Sequence, residues 1–297
     1  MRADRYPNPA GALLAALLAA LLVHGGIAAA RAASAPSPGD EVPPPSVLKQ
    51  LDNLKPQRPG VVDVYAVIVG ADGEEDVFRK EAATVRETLD ARLDTSGRSV
   101  TLVNHRASPQ PEATLKSLAH VLQSVSEKMD REEDILFLHI ASHGAANFVL
   151  VFKHPRAELY GLDPKYLEKL LASSRIRNRI VVISACYSGG FVPALANETT
   201  LVITAADQSR KSYGCGNDSE ITDFSRAFYV RALRQTRSIP LAARFAQQII
   251  HSEERATKRD HSYPQMQLGV LLEERLRLLE RRLAKTGDGA AESTPAR

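Results

Sequence analysis

Hydrophobic residues follow two alternating patterns along the chain, one typical of strands and one typical of helices. Continuous apolar runs, rich in β-branched residues, lie at 61–70, 134–144, 179–186 and 200–208. Such runs predict strands that are buried on both faces of a sheet. Apolar residues at helical spacing lie at 76–93, 113–129, 163–174, 224–235 and 240–257. Because strands joined through helices usually run parallel, the pattern predicts a three-layer α/β/α sandwich with a mostly parallel sheet.

Weaker signals extend this picture. Further short strands are predicted at 98–105, 147–152 and 265–272. Asp163 and Pro164 stand at the start of the helical pattern at 163–174, as an N-cap and a first helical residue do. The last part of the chain, 273–297, is strongly charged and predicts a C-terminal helix and tail.

The N-terminal part of the chain has the order of a secretory signal peptide. Arg2 and Arg5 precede an apolar block, and small residues follow it up to residue 32. We therefore expect residues 1–32 to be removed and the protein to be periplasmic or extracellular. The alternative is an uncleaved membrane anchor, since this apolar stretch is about long enough to span a bilayer. A proline-rich linker is predicted at 33–60 and the main domain at 61–272.

Composition and charge narrow the range of partners. The chain of 297 residues is 44% hydrophobic and 25% charged, as expected for a globular protein with one main domain. Its net charge of +3 is spread along the sequence, so nothing indicates binding to nucleic acid or to an anionic membrane. No spacing matches a zinc site, and we expect neither a metal nor a cofactor. The oligomeric state is left open.

Two of the predicted strands end in residues capable of catalysis. His143 and Gly144 end one strand, while Cys186 ends another and is followed by a Ser-Gly-Gly turn. Carboxyl ends of parallel strands gather at one edge of a sheet, so we expect these residues to lie side by side. A nearby imidazole can take the proton of a thiol, and flanking backbone amides can stabilise an oxyanion.

Two other interpretations fit the same residues. A free cysteine at a strand end packs well as a small hydrophobic residue. The chain has two cysteines, and in an exported protein Cys186 and Cys215 could form a disulfide. His139, on the same strand as His143, alternates into the sheet core and is expected to be structural. The residues alone therefore leave cysteine catalysis and a purely structural role open.

Three motifs in order carry a resemblance to a known family. The segments "ASHG", "SACYSGGF" and "TAADQSRKSYGC" resemble those of legumain-type cysteine peptidases, in particular their exported bacterial members, which have a caspase-like fold. The similarity spans roughly residues 61–270. By this resemblance His143 is the general base and acid, Cys186 is the nucleophile, and the Gly144 and Cys186 amides form the oxyanion hole.

The same resemblance implies further site residues. Legumains carry Asn-Gly after the first strand to orient the histidine, and Asp72 takes that place here. Arg79 is expected to bind the side-chain carboxamide or carboxylate of the residue before the cleaved bond, since a guanidinium forms bidentate hydrogen bonds with such planar groups. The alternative for Arg79 is a solvated helix residue. Ser212 and Tyr213 are expected to line the substrate pocket, with Cys215 in its wall.

One residue departs from the family pattern. Legumains place an acidic residue directly after the catalytic cysteine, whereas this chain has Tyr187. The prediction is an exported cysteine endopeptidase that acts on protein or peptide substrates, cutting after Asn or Asp through an acyl-enzyme. A transamidase or peptide ligase of the same fold and a non-catalytic scaffold that binds peptides are the alternatives.

Overall fold

A six-stranded sheet crosses the protein in the computed structural model, which describes residues 42–157 and 159–291. In chain order its strands are β1 Val64–Gly70, β2 Ser99–Val103, β3 Ile135–Ala141, β6 Asn178–Ser184, β7 Thr200–Thr204 and β8 Gln265–Leu268. Their order across the sheet is β2-β1-β3-β6-β7-β8. All neighbours pair in parallel except β7 and β8, which are antiparallel. The carboxyl ends of β1, β3, β6 and β7 therefore share one edge.

A second, small sheet lies outside the central one. It pairs β4 Leu150–Phe152 with β5 Tyr160–Leu162 in antiparallel fashion. The sequence predicted a short strand at 147–152 but not its partner, because β5 has only three residues and two of them are exposed. A strand so short and exposed leaves no hydrophobic pattern.

Helices cover both faces of the central sheet. They are α1 Pro45–Asp52, α2 Asp76–Leu93, α3 Leu115–Lys128, α4 Pro164–Ser173, α5 Val192–Leu195, α6 Asp223–Ser225, α7 Ile239–Ala256 and α8 Val270–Ala291. One hydrophobic core lies between the sheet and α1, α3, α4 and α5, and a second lies between the sheet and α2, α7 and α8. The predicted three-layer α/β/α sandwich with a mostly parallel sheet is confirmed.

The strongest sequence signals correspond closely to the structure. Every residue of β1 and β3 is buried, as continuous apolar runs require. The helix predicted at 76–93 is α2, Asp76–Leu93. The side chain of Asp163 caps α4 by accepting the backbone N–H groups of Lys165 and Tyr166, both at 2.9 Å. Pro164 occupies the first turn of that helix, where its missing N–H costs nothing.

Part of the predicted linker contributes to the fold. Helix α1 lies within 33–60, and its Val47 and Leu51, together with Leu54, are buried in the first core. The predicted signal peptide, 1–32, lies outside the described residues. At the other end, α8 buries Leu272 and three further leucines at helical spacing: Leu276, Leu279 and Leu283. No described helix combines the length and the hydrophobicity that crossing a bilayer requires.

One helical segment departs from regular geometry. The predicted helix at 224–235 is present as α6, which continues into a π-helical segment, Arg226–Ala232. Thr222 caps α6 by accepting the backbone N–H of Ser225 at 3.3 Å. Segments of π-helix are rare and frequently occur at functional sites. This one begins just after the loop that connects β7 to α6.

Candidate active site

The ends of β3 and β6 bring His143 and Cys186 to one place. Ala141 pairs with Ser184 across the two strands, and each candidate residue follows two positions later. Their backbones stay in close contact beyond the strands: a β-carbon added to Gly144 would lie 2.1 Å from the carbonyl oxygen of Cys186. Only glycine fits such an approach. Both His143 and Cys186 are half-buried at the edge of the sheet.

Cys186 is a free thiol with several polar neighbours. Its Sγ lies 3.6 Å from the carbonyl oxygen of Ser212 and 3.8 Å from the hydroxyl oxygen of the same residue. The pKa of Cys186 is lowered to about 6, chiefly by a hydrogen bond from the thiol of Cys215. Burial opposes this shift, whereas Ser212 and the charge of His143 reinforce it. Near neutral pH, Cys186 is therefore mainly a thiolate, the nucleophilic form of cysteine.

Cys215 is the protonated partner of this pair. It is also free, so the two cysteines form no disulfide in the structure. The pKa of Cys215 is raised, first by its hydrogen bond with Cys186 and then by burial. The pair therefore keeps one proton on Cys215 and presents negative charge on Cys186.

Substituting Cys215 tests this division of roles. In Cys215→Ala the hydrogen bond to the thiolate is lost, and we expect the pKa of Cys186 to rise by about 1 unit or more, a size typical of a lost charge-assisted hydrogen bond. The pH dependence of iodoacetamide alkylation at Cys186, located by peptide mapping, measures this shift. Cys215→Ser is the matched control because its hydroxyl still donates. Identical profiles for wild type and Cys215→Ala would contradict the assignment.

The ring of His143 is oriented by an aromatic contact. It packs edge-on against Phe78 of α2, with ring centroids 5.2 Å apart and ring planes at 88°. Phe78 is fully buried and forms a small apolar cluster with Val77 and Ala141, against which Cys215 also packs. Phe78 belongs to the helical apolar pattern at 76–93, which predicts its burial but not this contact. Its position eight residues after the end of β1 was the available signal.

Asp72, the residue predicted to orient His143, lies just after β1. It is buried, and its Oδ1 accepts the backbone N–H of Glu74 at 2.9 Å. Within 42–157 and 159–291, no hydrogen bond joins Asp72 to His143. The carboxylate thus shapes the turn between β1 and α2, and its action on the imidazole stays a prediction.

Arg79 lies on the first turn of α2 and faces a carboxylate. Its Nε and Nη2 donate to the two oxygens of Asp76, at 2.7 and 3.1 Å. This pairing lowers the pKa of Asp76, and His105 Nε2 lies 3.4 Å from the same carboxylate. The side chain of Arg79 is 44% exposed. To bind a substrate group, this guanidinium must either release the Asp76 carboxylate or bind the carboxylate and the substrate group together.

Ser212 and Tyr213 lie on the loop between β7 and α6. Ser212 faces the thiol of Cys186, as described above. The hydroxyl of Tyr213 donates to the carbonyl oxygen of Asp260 at 2.9 Å, and Arg259 lies over its ring at 5.1 Å. These contacts hold the loop against the segment that precedes β8.

Two backbone N–H groups are available beside the thiol. Within the part of the chain that the structure describes, neither Gly144 N–H nor Cys186 N–H has a protein acceptor. The chain turns sharply after the cysteine: Tyr187 has a φ of 56°, and its N–H donates to the carbonyl oxygen of Arg210 at 2.7 Å. Unpaired amides on both sides of a nucleophile can stabilise a developing oxyanion.

Comparison with models of known protein families assigns the chain to a family. Residues 112–273, more than half of the sequence, match the model of the peptidase C13 family. The chain belongs to the peptidase C13 family. The matched region runs from the residues before α3 to the start of α8 and contains both His143 and Cys186. Membership confirms the resemblance to legumain-type cysteine peptidases and supports a cysteine peptidase.

Solved structures similar to this C13 family member include two caspases. Caspase-1 from Spodoptera frugiperda is 15% identical and aligns over 70% of this chain and 87% of its own, with a TM-score of 0.47. The structure titled pro-sf-caspase-1 is 14% identical and aligns over 70% of this chain and 92% of its own, with a TM-score of 0.48. The search of curated proteins found no match.

Proposed function

We propose that this protein is a cysteine endopeptidase in which Cys186 and His143 form a catalytic dyad. The observation that carries the proposal is that a low-pKa thiol and an imidazole stand at equivalent positions, two residues beyond the ends of two paired strands. Membership in the C13 family supports it. The region that matches the family contains both residues, and the local electrostatics favour the thiolate form of Cys186.

The proposed reaction begins with attack by the Cys186 thiolate on the carbonyl carbon of the cleaved bond. The oxygen gains negative charge and accepts hydrogen bonds from the N–H groups of Gly144 and Cys186. Protonated His143 gives its proton to the leaving amine, the C–N bond breaks, and a thioester remains on Cys186. Neutral His143 then takes a proton from water, which attacks the thioester and regenerates the thiolate.

We propose that cleavage follows Asn or Asp and that Arg79, Ser212 and Tyr213 contribute to this selection. Arg79 can bind a carboxamide oxygen or a carboxylate of the substrate if that group replaces Asp76 as its partner. Ser212 lies beside the nucleophile. Asp72 is proposed to act on His143 from the neighbouring turn. Export, which depends on the predicted signal peptide, would place the substrates outside the cytoplasm.

Cleavage of a peptide library, read by mass spectrometry, tests the proposed specificity. We expect products that end in Asn or Asp and carry a free carboxylate. Products joined to an added amine would instead identify a transamidase or ligase, because the same thioester can be resolved by an amine. No cleavage by the wild-type protein, with or without removal of the N-terminal segment, would contradict the proposal.

The part played by Arg79 has its own prediction. We expect Arg79→Ala to raise KM for Asn or Asp substrates by about 10-fold, the effect of losing one charge-assisted hydrogen bond to the substrate. Steady-state kinetics with the best library peptide measures the change. Arg86→Ala is the matched control, because Arg86 lies two turns further along the same helix at similar exposure. Equal KM values for the two variants would assign Arg79 to the helix surface alone.

A further inference from the structure

A buried carboxylate lies beneath the candidate site. Glu81 of α2 is fully buried. Its Oε1 accepts the hydroxyl of Ser225 at 2.7 Å and lies 3.2 Å from Nε2 of His139, while its Oε2 accepts the backbone N–H of Thr222 at 3.2 Å. Three hydrogen-bond partners, one on β3 and two at the start of α6, thus converge on one side chain.

The charge on Glu81 calls for an explanation. Burial disfavours its ionised form, but the bonds from His139, Ser225 and Thr222 outweigh burial and lower the pKa of Glu81. In the sequence, residue 81 stands three positions after Phe78 and just before Ala82, within the apolar stripe of the helix. Burial of a carboxylate at such a position is energetically unfavourable unless hydrogen-bond partners replace its lost hydration.

The network around Glu81 touches each element that carries a part of the site. His139 lies on β3, four residues before His143. Ser184, the last residue of β6 and two residues before Cys186, places its Oγ 3.0 Å from Oγ1 of Thr222. Thr222 in turn ends the 209–222 loop, which carries the residues in contact with the Cys186 thiol.

His139 is held on its other side as well. Its Nδ1 lies 2.9 Å from the hydroxyl of Tyr229, which belongs to the π-helical segment. Burial raises the pKa of Tyr229 well above its usual value, so this residue remains a neutral phenol. A hydroxyl both donates and accepts, so His139 is satisfied on both ring nitrogens. The network is therefore closed, and closed buried networks specify a single arrangement of their elements.

We propose that Glu81 is a positioning residue for Cys186: it anchors Thr222, and so holds the 209–222 loop where Ser212 and Cys215 contact the nucleophile. This inference rests on the proposed function, since it treats Cys186 as the reacting group. Glu81 itself does not reach the thiol. The titratable groups that act directly on Cys186 are Cys215 and His143.

The test is Glu81→Gln, which keeps the size of the side chain but replaces one accepting oxygen with an NH2 group. Because this NH2 group can only donate, it cannot bond to the donor that faces it. We expect the loop to lose its fixed place, the pKa of Cys186 to rise by about 1 unit and kcat to fall at least about 10-fold. Alkylation of Cys186 as a function of pH, followed by peptide mapping, gives the thiol pKa without any substrate. A merely structural role would lower the melting temperature and leave this pKa unchanged.

Asp134→Asn is the matched control. Asp134 is also a fully buried carboxylate, and it accepts the backbone N–H groups of Asp63 and Asp130, each at 2.8 Å. It precedes β3 and therefore lies at the opposite edge of the sheet from Cys186. We expect its substitution to destabilise the fold while the thiol pKa of Cys186 stays at the wild-type value.

A second variant covers the case in which Glu81→Gln does not fold. Ser225→Ala removes one bond to Glu81 and leaves the carboxylate in place, so a smaller rise in the thiol pKa is expected. A folded Glu81→Gln, or a folded Ser225→Ala where the former is insoluble, with the wild-type thiol pKa would overturn the inference. If instead the thiol pKa shifts but the wild-type protein cleaves no peptide, the positioning role stands and the proposed peptidase function fails.

Discussion

Replacing Cys186 with alanine is expected to abolish peptide cleavage, with a loss of at least about 10³-fold. Without the sulfur no thioester forms, and the remaining oxyanion donors and His143 have no nucleophile to assist. The comparison is the rate of cleavage of the best library peptide by wild type and by Cys186→Ala, with the melting temperature measured alongside. Because the side chain is small and half-buried, we expect the variant to remain folded.

The matched control for this substitution is Cys215→Ala. The two cysteines are neighbours of similar exposure, and only one of them is assigned the covalent step. We expect Cys215→Ala to retain measurable cleavage, with its optimum moved to higher pH because the Cys186 thiol then deprotonates at higher pH. Equal and complete loss in both variants would show that the assignment of a single nucleophile is wrong.

The same account fixes the direction of the pH dependence in the wild-type protein. The pKa of Cys186 is lowered to about 6, so the thiolate is present above that pH and is protonated below it. Cleavage at subsaturating substrate should therefore decline as the pH falls through about 6. A decline centred near 8 or 9, the range of an ordinary thiol, would contradict the low pKa.

Adding a single methyl group at Gly144 is expected to cost about 10²-fold or more in cleavage rate. The new β-carbon would meet the carbonyl oxygen of Cys186 at 2.1 Å, and the atom in the way belongs to the backbone. The strand ends would have to separate, which would move His143 and the Gly144 N–H away from the thiol. Steady-state kinetics of Gly144→Ala, with circular dichroism to verify the fold, measures this effect.

Gly216→Ala is the control for this prediction. Gly216 lies in the loop that carries Cys215, yet a β-carbon there would meet nothing within 4 Å. We expect its activity to equal that of the wild type within a factor of about 2, as for surface substitutions in general. Wild-type activity in Gly144→Ala would mean that the close contact between the two strand ends is not needed for the reaction.

The sequence predicted the elements whose signals are local and strong. Continuous apolar runs gave β1 and β3, helical spacing gave α2, and the Asp-Pro pair gave the start of α4. The order of strands and helices also sufficed for the sandwich, because parallel strands need crossover connections. The sequence also predicted that the residues after β3 and β6 lie close together, because the carboxyl ends of parallel strands share one edge of a sheet.

The sequence did not predict contacts between elements that are distant in the chain. The helical pattern at 76–93 predicts an apolar face that includes Phe78, but the edge-on contact of Phe78 with His143 depends on how α2 packs over the sheet. Glu81 interrupts the apolar stripe of α2, and its partners at 139, 222 and 225 have no local signature in the sequence. The proton-sharing pair of cysteines likewise depends on the path of the 209–222 loop.

The central claim is that Cys186 becomes covalently bonded to the substrate with the help of His143. The most direct test uses a peptidyl acyloxymethyl ketone that carries the sequence best cleaved in the library, followed by intact mass and peptide mapping. The account predicts one equivalent of label, bonded through a thioether to Cys186, and much slower labelling in His143→Ala. Labelling of Cys215 in its place, or cleavage of peptides that continues undiminished after Cys186 is fully alkylated, would contradict it.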